Sequence, residues 1–472
     1  MTGIETRGNS LEVDTIVAAV TPPGEGGVGI VRTSGPLSLC LPEQLFPTLP
    51  QPWDSHHLRQ GRLVDPHTHG PVDEAMGVIM LGPHSYTGEH VFEIHCHGSP
   101  LVLERVVSIC LAAGCRAARP GEFTLRAFLN ERLDLSQAEA VLDVVRARTN
   151  AGLQLAVRQL SGWLTARIEP MRHELVGTLA HMEAMVDFVE DDIPPETDAA
   201  TREQLSTAMH TVDVLLEGAE QGIVLREGAT LAIVGSPNVG KSSIMNALLG
   251  LERSIVTPIA GTTRDTIEET LEVRGVPFRT IDTAGITATD DVVEGLGVER
   301  SRKTLDDADV ILLVLDLSRP PANTDEPAVA AVEAVRGGPY ELSRRLVIAL
   351  NKSDLPEQLD PAPLIQRLQP DLVVRSSAVA LDGVAALRHA LGQAALGGER
   401  HDFVVGNVRH QEALRRARTA LQAACDGIED GTPLDLVSFD VREAAAALGE
   451  ITGASVDDEL LDRIFRDFCI GK

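Results

Sequence analysis

Apolar residues recur along this chain with two different periods, and the period changes near residue 133 and again near residue 228. Over residues 14–131 the apolar runs are short (15–19, 28–32, 76–80 and 91–95), and glycines and prolines separate them, which predicts strands. A helical stretch over 100–113 follows, so this region reads as a compact α+β domain. From 133 to 190 the apolar spacing becomes three or four. Leu153, Val157, Leu160, Leu164, Ile168, Met171, Leu175, Leu179, Met182 and Val186 form one side of a long helix or a helix pair. Pro170 is expected to kink or divide that run, and Asp191-Asp192-Ile193-Pro194-Pro195 to end it. The helical pattern resumes over 202–227.

Residues 230–234, 278–281, 346–350 and 372–374 are again strand-like. A helix over 244–249 ends at Gly250, and a hairpin over 269–281 turns at Arg274-Gly275. The last helical patterns, 410–426, 441–449 and 455–468, have too little apolar partner surface of their own. They are expected to pack on the helices of 133–227. The fold class is therefore multidomain: an α+β N-terminal domain (1–132), a discontinuous all-α helical domain (133–227 and 396–472), and an inserted Ras-like α/β P-loop domain (228–395).

Candidate chemistry centres on Gly235-Ser236-Pro237-Asn238-Val239-Gly240-Lys241-Ser242-Ser243, between a strand and a helix. Backbone N–H groups there can wrap a phosphate chain. Lys241 neutralises the outer phosphates and Ser242 suits magnesium. Asp282-Thr283-Ala284-Gly285, after the strand 278–281, fits the magnesium shell and the γ-phosphate. In Asn351-Lys352-Ser353-Asp354, the Asp354 carboxylate can accept both guanine donors, which adenine does not offer. Ser377-Ala378 can close over the base. Motifs in this order predict a GTP site. Thr257-Pro258-Ile259-Ala260-Gly261-Thr262-Thr263 has the composition of a switch, with a threonine hydroxyl for magnesium and Gly261 for close approach to phosphate.

The hydrolytic machinery departs from Ras-like enzymes, where a glutamine after Asp-x-x-Gly orients the attacking water. Ile286 stands at that position and can form no such hydrogen bond. Asn238 could hold a monovalent cation instead, and Glu294 could position water. Within Asp290, Asp291, Glu294 and Glu299, however, Glu294 also reads as a solvated carboxylate.

The chain has 472 residues and a formal charge of −28, which disfavours generic nucleic-acid grip. A basic cluster at Arg415, Arg416 and Arg418 reads as a patch or as a solvated helix face. Six cysteines without a Cys-x-x-Cys pair fit a reducing compartment, and a polar N-terminus without an apolar core fits no signal peptide. A cytoplasmic protein, not a membrane one, is the expectation. His95-Cys96-His97 puts two histidines on one strand face, but no third ligand at sensible spacing supports zinc.

Beyond the nucleotide motifs, the chain resembles the MnmE (TrmE) family of tRNA-modification GTPases over nearly its full length. The resemblance rests on Asp14-Thr15-Ile16-Val17-Ala18, Thr21-Pro22-Pro23-Gly24, Gly26-Gly27-Val28-Gly29-Ile30 with Arg32, and Tyr86-Thr87-Gly88-Glu89. It continues through His97-Gly98, Arg119-Pro120-Gly121-Glu122-Phe123, Arg126-Ala127-Phe128-Leu129-Asn130, Leu133-Asp134-Leu135, Gln137-Ala138-Glu139-Ala140 and the end Phe468-Cys469-Ile470-Gly471-Lys472. The resemblance implies a potassium-stimulated GTPase that dimerises through a folate-binding N-terminal domain. It also implies a flavoprotein partner, MnmG, in a heterotetramer or larger complex, with FAD and NADH on the partner. The implied reaction adds aminomethyl-type groups to carbon 5 of the wobble uridine of certain tRNAs. The implied carbon donor is 5,10-methylenetetrahydrofolate or 5-formyltetrahydrofolate.

By motif, the resemblance assigns potassium to Asn238, Thr257, Ile259 and Thr262, magnesium to Ser242 and Thr263, and the hydrolytic water to Glu294, which turns the choice for Glu294 toward catalysis. It assigns folate to Arg32, Glu93, Arg132 and Lys472, and gives Cys469 a part in the modification reaction; a free structural cysteine is the other reading of Cys469. Arg132 stands where the family carries lysine, and Pro258 where an acidic residue is expected. The competing class is a regulatory GTPase switch in ribosome or RNA assembly that performs no modification.

Overall fold

A computed structural model describes residues 14–187, 198–250, 270–281, 305, 307–321, 325–336, 345–398 and 405–472. Its first sheet contains β1 (Ile16–Ala19), β2 (Gly26–Ser34), β3 (Arg59–Val64), β4 (Pro71–Met80), β5 (Val91–Gly98) and β6 (Arg116–Ala117). The order is β3-β4-β5-β2-β1-β6, antiparallel apart from the β1–β6 pair. Strand alternation sends Phe92, Ile94 and Cys96 of β5 into the core and Glu93, His95 and His97 to the other face. The helix Pro100–Ala112 covers the core side with Leu103, Val106 and Ile109. β3 and β6 were not foreseen: β3 reads Arg-Gln-Gly-Arg-Leu-Val and β6 is two residues long, so neither carries an apolar run.

The second sheet runs β12-β11-β10-β7-β9-β8, comprising β7 (Ala229–Val234), β8 (Thr270–Val273), β9 (Val276–Ile281), β10 (Val310–Asp316), β11 (Arg345–Asn351) and β12 (Leu372–Arg375). All neighbours are parallel except the edge hairpin β8–β9. β10 is buried along its whole length. Val310, Leu312 and Val314 face the helices Lys241–Gly250 and Val384–Leu396, while Ile311, Leu313 and Leu315 face Glu326–Arg336 and Ala362–Leu368. Burial on both faces is what gives a parallel strand its continuous apolar run.

The helical region holds Leu135–Arg146, Asn150–Leu160, Thr165–Asp187, Asp198–Leu216, Ala219–Glu227, Val408–Glu429, Leu434–Thr452 and Asp458–Arg466. Two expectations are met only in part here. Pro170 does not divide the helix Thr165–Asp187, which runs through it, and the chain breaks instead at Gly162, whose φ of 82° suits glycine. The apolar stripe is not one surface either. Leu164, Ile168, Met171, Leu175 and Met182 are buried, whereas Leu153, Val157 and Val186 are exposed. The buried part packs with Leu205, Val212, Leu414, Leu421, Val441 and Leu448 in one core, so segments from both sides of the second sheet share it. Arg416 pairs with Glu450, and Arg418 with Asp213, so neither is available as an open basic patch. The terminating Asp191–Pro195 motif lies outside the described residues.

The chain's end returns to the first domain. Gly121 N–H donates to Cys469 O at 3.4 Å, and Phe123 N–H to Lys472 O at 3.2 Å. Gly121 has φ 67°, and a Cβ there would stand 2.7 Å from Phe465 O. Gly121→Ala is expected to destabilise the protein by at least about 1–2 kcal/mol from the left-handed backbone alone, visible as a lower melting temperature. An unchanged melting curve would show that Gly121 does not hold this left-handed conformation.

Candidate functional site

Parallel strands deliver their carboxyl ends to one rim, and the sheet reverses its order between β7 and β10, where α/β sheets open a crevice for ligands. At the end of β7 the phosphate loop turns through Gly235 (φ 148°), Asn238 (φ 63°) and Gly240 (φ 101°). A Cβ on Gly235 would stand 2.4 Å from Val314 O, so β10 leaves room only for glycine. The helix Lys241–Gly250 begins directly after the loop, three residues before the apolar pattern that announced it. Its exposed first turn presents Ser242 and Ser243. Lys241 Nζ folds back and donates to Gly235 O at 2.7 Å and Ser236 O at 2.9 Å. Partial desolvation lowers its pKa below that of an ordinary lysine.

β11 ends at Asn351, whose buried amide joins two loops: Nδ2 donates to Val239 O at 2.8 Å, and Oδ1 accepts from Ala378 N at 3.3 Å. The phosphate loop and the base-closing loop are thus held by one side chain. A Cβ on Gly240 would lie 2.3 Å from Asn351 Nδ2, so the glycine is needed for that contact. Lys352 takes φ 61° and extends Nζ to Asp316 Oδ2 at 2.6 Å. Ser353 N–H donates to Ser376 O, Ser377 is buried, and Asp354 is exposed at the rim. The arrangement suits a planar base held by Asp354 and a phosphate chain held by residues 238–243.

Asp316, Arg319 and Asp325 were not picked out from the sequence. Burial disfavours the Asp316 carboxylate, but Lys352 and Ser318 outweigh it and leave the pKa below the ordinary range. The one available signal was an aspartate closing an otherwise apolar strand. Thr257, Pro258, Ile259, Ala260, Gly261, Thr262, Thr263, Asp282, Thr283, Ala284, Gly285 and Glu294 lie outside the described residues; β9 ends at Ile281, next to Asp282 in the chain.

A second polar constellation lies on the first sheet. Arg32 and Glu93 are cross-strand partners, with Arg32 Nε donating to Glu93 Oε1 at 2.7 Å. The Arg32 guanidinium sits 5.3 Å from the Tyr86 ring centroid and 5.6 Å from that of Phe123, within cation–π range. Burial opposes ionisation of Glu93, yet His95 and Arg32 bring its pKa below the usual value. Arg132 Nε donates to Ser85 O at 3.2 Å, beside Tyr86, and Lys472 O is bound by Phe123 N–H. Arg32, paired with Glu93, thus lies against Tyr86 and Phe123; Ser85, the chain neighbour of Tyr86, holds Arg132, and the Phe123 backbone holds the Lys472 carbonyl. Cys469 is exposed.

Beneath it, buried Arg126 binds Asp14, Glu89 and Glu122 together, which gives those motif residues a structural task. His97 Nδ1 contacts Asp73 at 2.7 Å, and His95 contacts Glu93. Among the described residues no three His, Cys, Asp or Glu side chains gather as a metal site, and no helix is long and apolar enough to cross a membrane.

A parallel sheet with a glycine phosphate loop and an Asn-Lys-x-Asp loop at its carboxyl rim defines a P-loop guanine-nucleotide-binding protein. Comparison with known proteins narrows this. The "GTP-binding protein TrmE N-terminus" profile matches residues 15–132, and the "MnmE helical domain" profile matches 135–469. A tRNA modification GTPase MnmE of Chloroflexus aurantiacus is 47% identical over 97% of this chain and 100% of its own length. Proteins of the same description from Geobacter sulfurreducens and Lacticaseibacillus paracasei are 45% and 43% identical, again over 97% of this chain and 99% and 98% of theirs. The chain belongs to the MnmE (TrmE) family of tRNA modification GTPases.

Proposed function

We propose that this protein is a potassium-stimulated GTPase that, with the flavoprotein MnmG, adds an aminomethyl-type group to carbon 5 of the wobble uridine of certain tRNAs, drawing carbon from a tetrahydrofolate. The observation that carries this reading is the pairing, in one chain, of a guanine-nucleotide rim with the Arg32–Glu93 constellation sealed by the Cys469–Lys472 tail. Arg32 and Arg132 suit an anionic glutamyl tail or pterin edge, and Glu93 suits pterin N–H donors. Cys469, exposed and three residues before Lys472, fits a part in the modification.

At the nucleotide rim, Lys241 exchanges its two loop carbonyls for phosphate oxygens while loop N–H groups cradle the chain. Asp354 selects guanine. Of the residues assigned to the ions, the structure describes Asn238, exposed at a left-handed turn, and Ser242, exposed in the helix's first turn, and both positions fit an ion ligand. Asn238, with Thr257, Ile259 and Thr262, would hold potassium, and Ser242, with Thr263, would hold magnesium; the bound ions would supply positive charge at the leaving phosphates. Glu294 orients the attacking water in place of the glutamine that Ile286 replaces. Domain limits at 132, 227 and 395, a homodimer built on the first domain, and a cytoplasmic site of action complete the proposal.

Nucleoside mass spectrometry of tRNA from cells lacking the chain tests it. The wobble-uridine modification is expected to vanish, to return with the wild-type protein, and not to return with Lys241→Ala. An unchanged nucleoside profile on deletion sinks the reading in favour of a regulatory RNA-assembly switch. Purified protein is expected to turn over GTP several-fold faster in potassium than in sodium.

A further inference from the structure

We propose that Asp325, backed by Arg319, is a positioning residue for the phosphate loop, acting through the Ser236 hydroxyl and tying the loop to the base-binding side of the pocket. The inference rests on the reading of residues 235–242 as the GTP loop. Ser236, the second residue of that loop, is buried, and its Oγ donates to Asp325 Oδ1. Asp325 stands immediately before the helix Glu326–Arg336. The same Oδ1 accepts from Arg319 Nη2 at 2.6 Å. Arg319 Nε lies 3.9 Å from Asp316 Oδ2, the oxygen that also receives Lys352 Nζ at 2.6 Å.

Lys352, Asp316, Arg319 and Asp325 thus form a chain of alternating charges that ends on a loop hydroxyl. Each charge has an opposite neighbour, and all four are half-buried or better, so solvent screens them less than it screens surface pairs. The two fixed ends matter. Ser236 adjoins Gly235, whose carbonyl Lys241 holds, and Lys352 is two residues from Asp354. Asn351 makes a neutral tie between the phosphate and base loops, and this ionic chain makes a second one past the end of β10 at Asp316. Three of these links are charge-assisted hydrogen bonds, joined by the longer 3.9 Å ion pair between Arg319 and Asp316, and such contacts keep donors where a ligand needs them at small entropic cost on binding.

The test uses the full chain as wild type, Ser236→Ala, Asp325→Ala and the double variant. Each is titrated with a fluorescent GDP analogue and melted without nucleotide. Each single variant is expected to lose about tenfold in affinity, equivalent to about 1.4 kcal/mol, and the double variant no more than the weaker single one, the signature of a coupled pair. KM for GTP is expected to rise with kcat nearly unchanged, and the nucleotide-free melting curves to overlay. Unchanged affinity, additive losses, or losses accompanied by a lower melting temperature overturn the proposal. Asp354→Asn serves as control: if it binds GDP as the wild type does, the nucleotide-site reading itself falls and takes the proposal with it. If the control loses binding while the other variants behave additively, only the role of Asp325 falls.

Discussion

Asn351→Ala is expected to lower guanine-nucleotide affinity by about a hundredfold or more. The side chain is buried and spends both ends of its amide on backbone groups of two different loops, Val239 O and Ala378 N. Truncation removes two hydrogen bonds, each worth about 0.5–1.5 kcal/mol net, and leaves a carbonyl and an N–H without these partners at about 1–3 kcal/mol each where water is excluded. The loss need not appear in the fold, because strands β10, β11 and β7 remain paired without it. It appears where the loops must converge on a ligand. About 3 kcal/mol already corresponds to a hundredfold in the dissociation constant. Asn351→Asp makes a sharper probe. It keeps size and the acceptor for Ala378 but sets an oxygen against Val239 O, so it is expected to do as much damage as alanine. Titration with a fluorescent GDP analogue decides the matter, and affinity within threefold of wild type for both variants would falsify the bridging role.

Glu139→Ala should destabilise the protein by about 3–5 kcal/mol, the usual cost of breaking a buried ion pair from one side. Glu139 receives Arg409 Nη2 at 2.6 Å and His410 Nε2 at 2.7 Å, and so joins the helix Leu135–Arg146 to the helix Val408–Glu429. His410 is fully buried, and burial holds its pKa down, favouring the neutral ring. Burial alone would raise the Glu139 pKa. Contacts with His410 and Arg409 reverse this and draw it to about 2. The direction stands whatever charge His410 carries, because Arg409 is cationic at every accessible pH.

The linkage follows in sign. A carboxylate depressed from 4.5 contributes its stability above about pH 4.5 and loses it as pH falls toward 2. Acid also charges the buried His410, in the same destabilising direction. Wild-type melting temperature is therefore expected to fall steeply below pH 4.5, and Glu139→Gln, which keeps the shape but cannot ionise, to show a shallower fall. Parallel acid profiles for the two proteins would remove Glu139 from the account.

The nucleotide rim was readable before any coordinates because its information is local. A glycine loop between an apolar strand and a helix, and Asn-Lys-x-Asp after another apolar strand, each carry their geometry within a few residues. The strand-rich first region, the other strands of the second sheet and the last helices followed from period in the same way; the central strand β10 was not picked out, although its apolar run is continuous. Local signals failed where context overrode them. Pro170 leaves its helix whole because tertiary packing supports the surrounding turns, and the stripe that seemed to run from Leu153 to Val186 belongs to two helices with different neighbours. β3 escaped notice because an edge strand with one covered face needs no apolar run.

Through-space partnership is another matter. Ser236 meets Asp325 across 89 residues, Arg32 meets Glu93 across 61, and Glu139 meets His410 across 271. Strand order and helix docking choose such partners after the chain has folded back on itself, and a linear spacing holds no trace of that choice. Residue chemistry and local period were enough to say that a phosphate chain and a guanine could be held. Which charges hold the loops in place, and that the last residues seal the first domain, depended on distances that exist only once the sheets and helices are assembled.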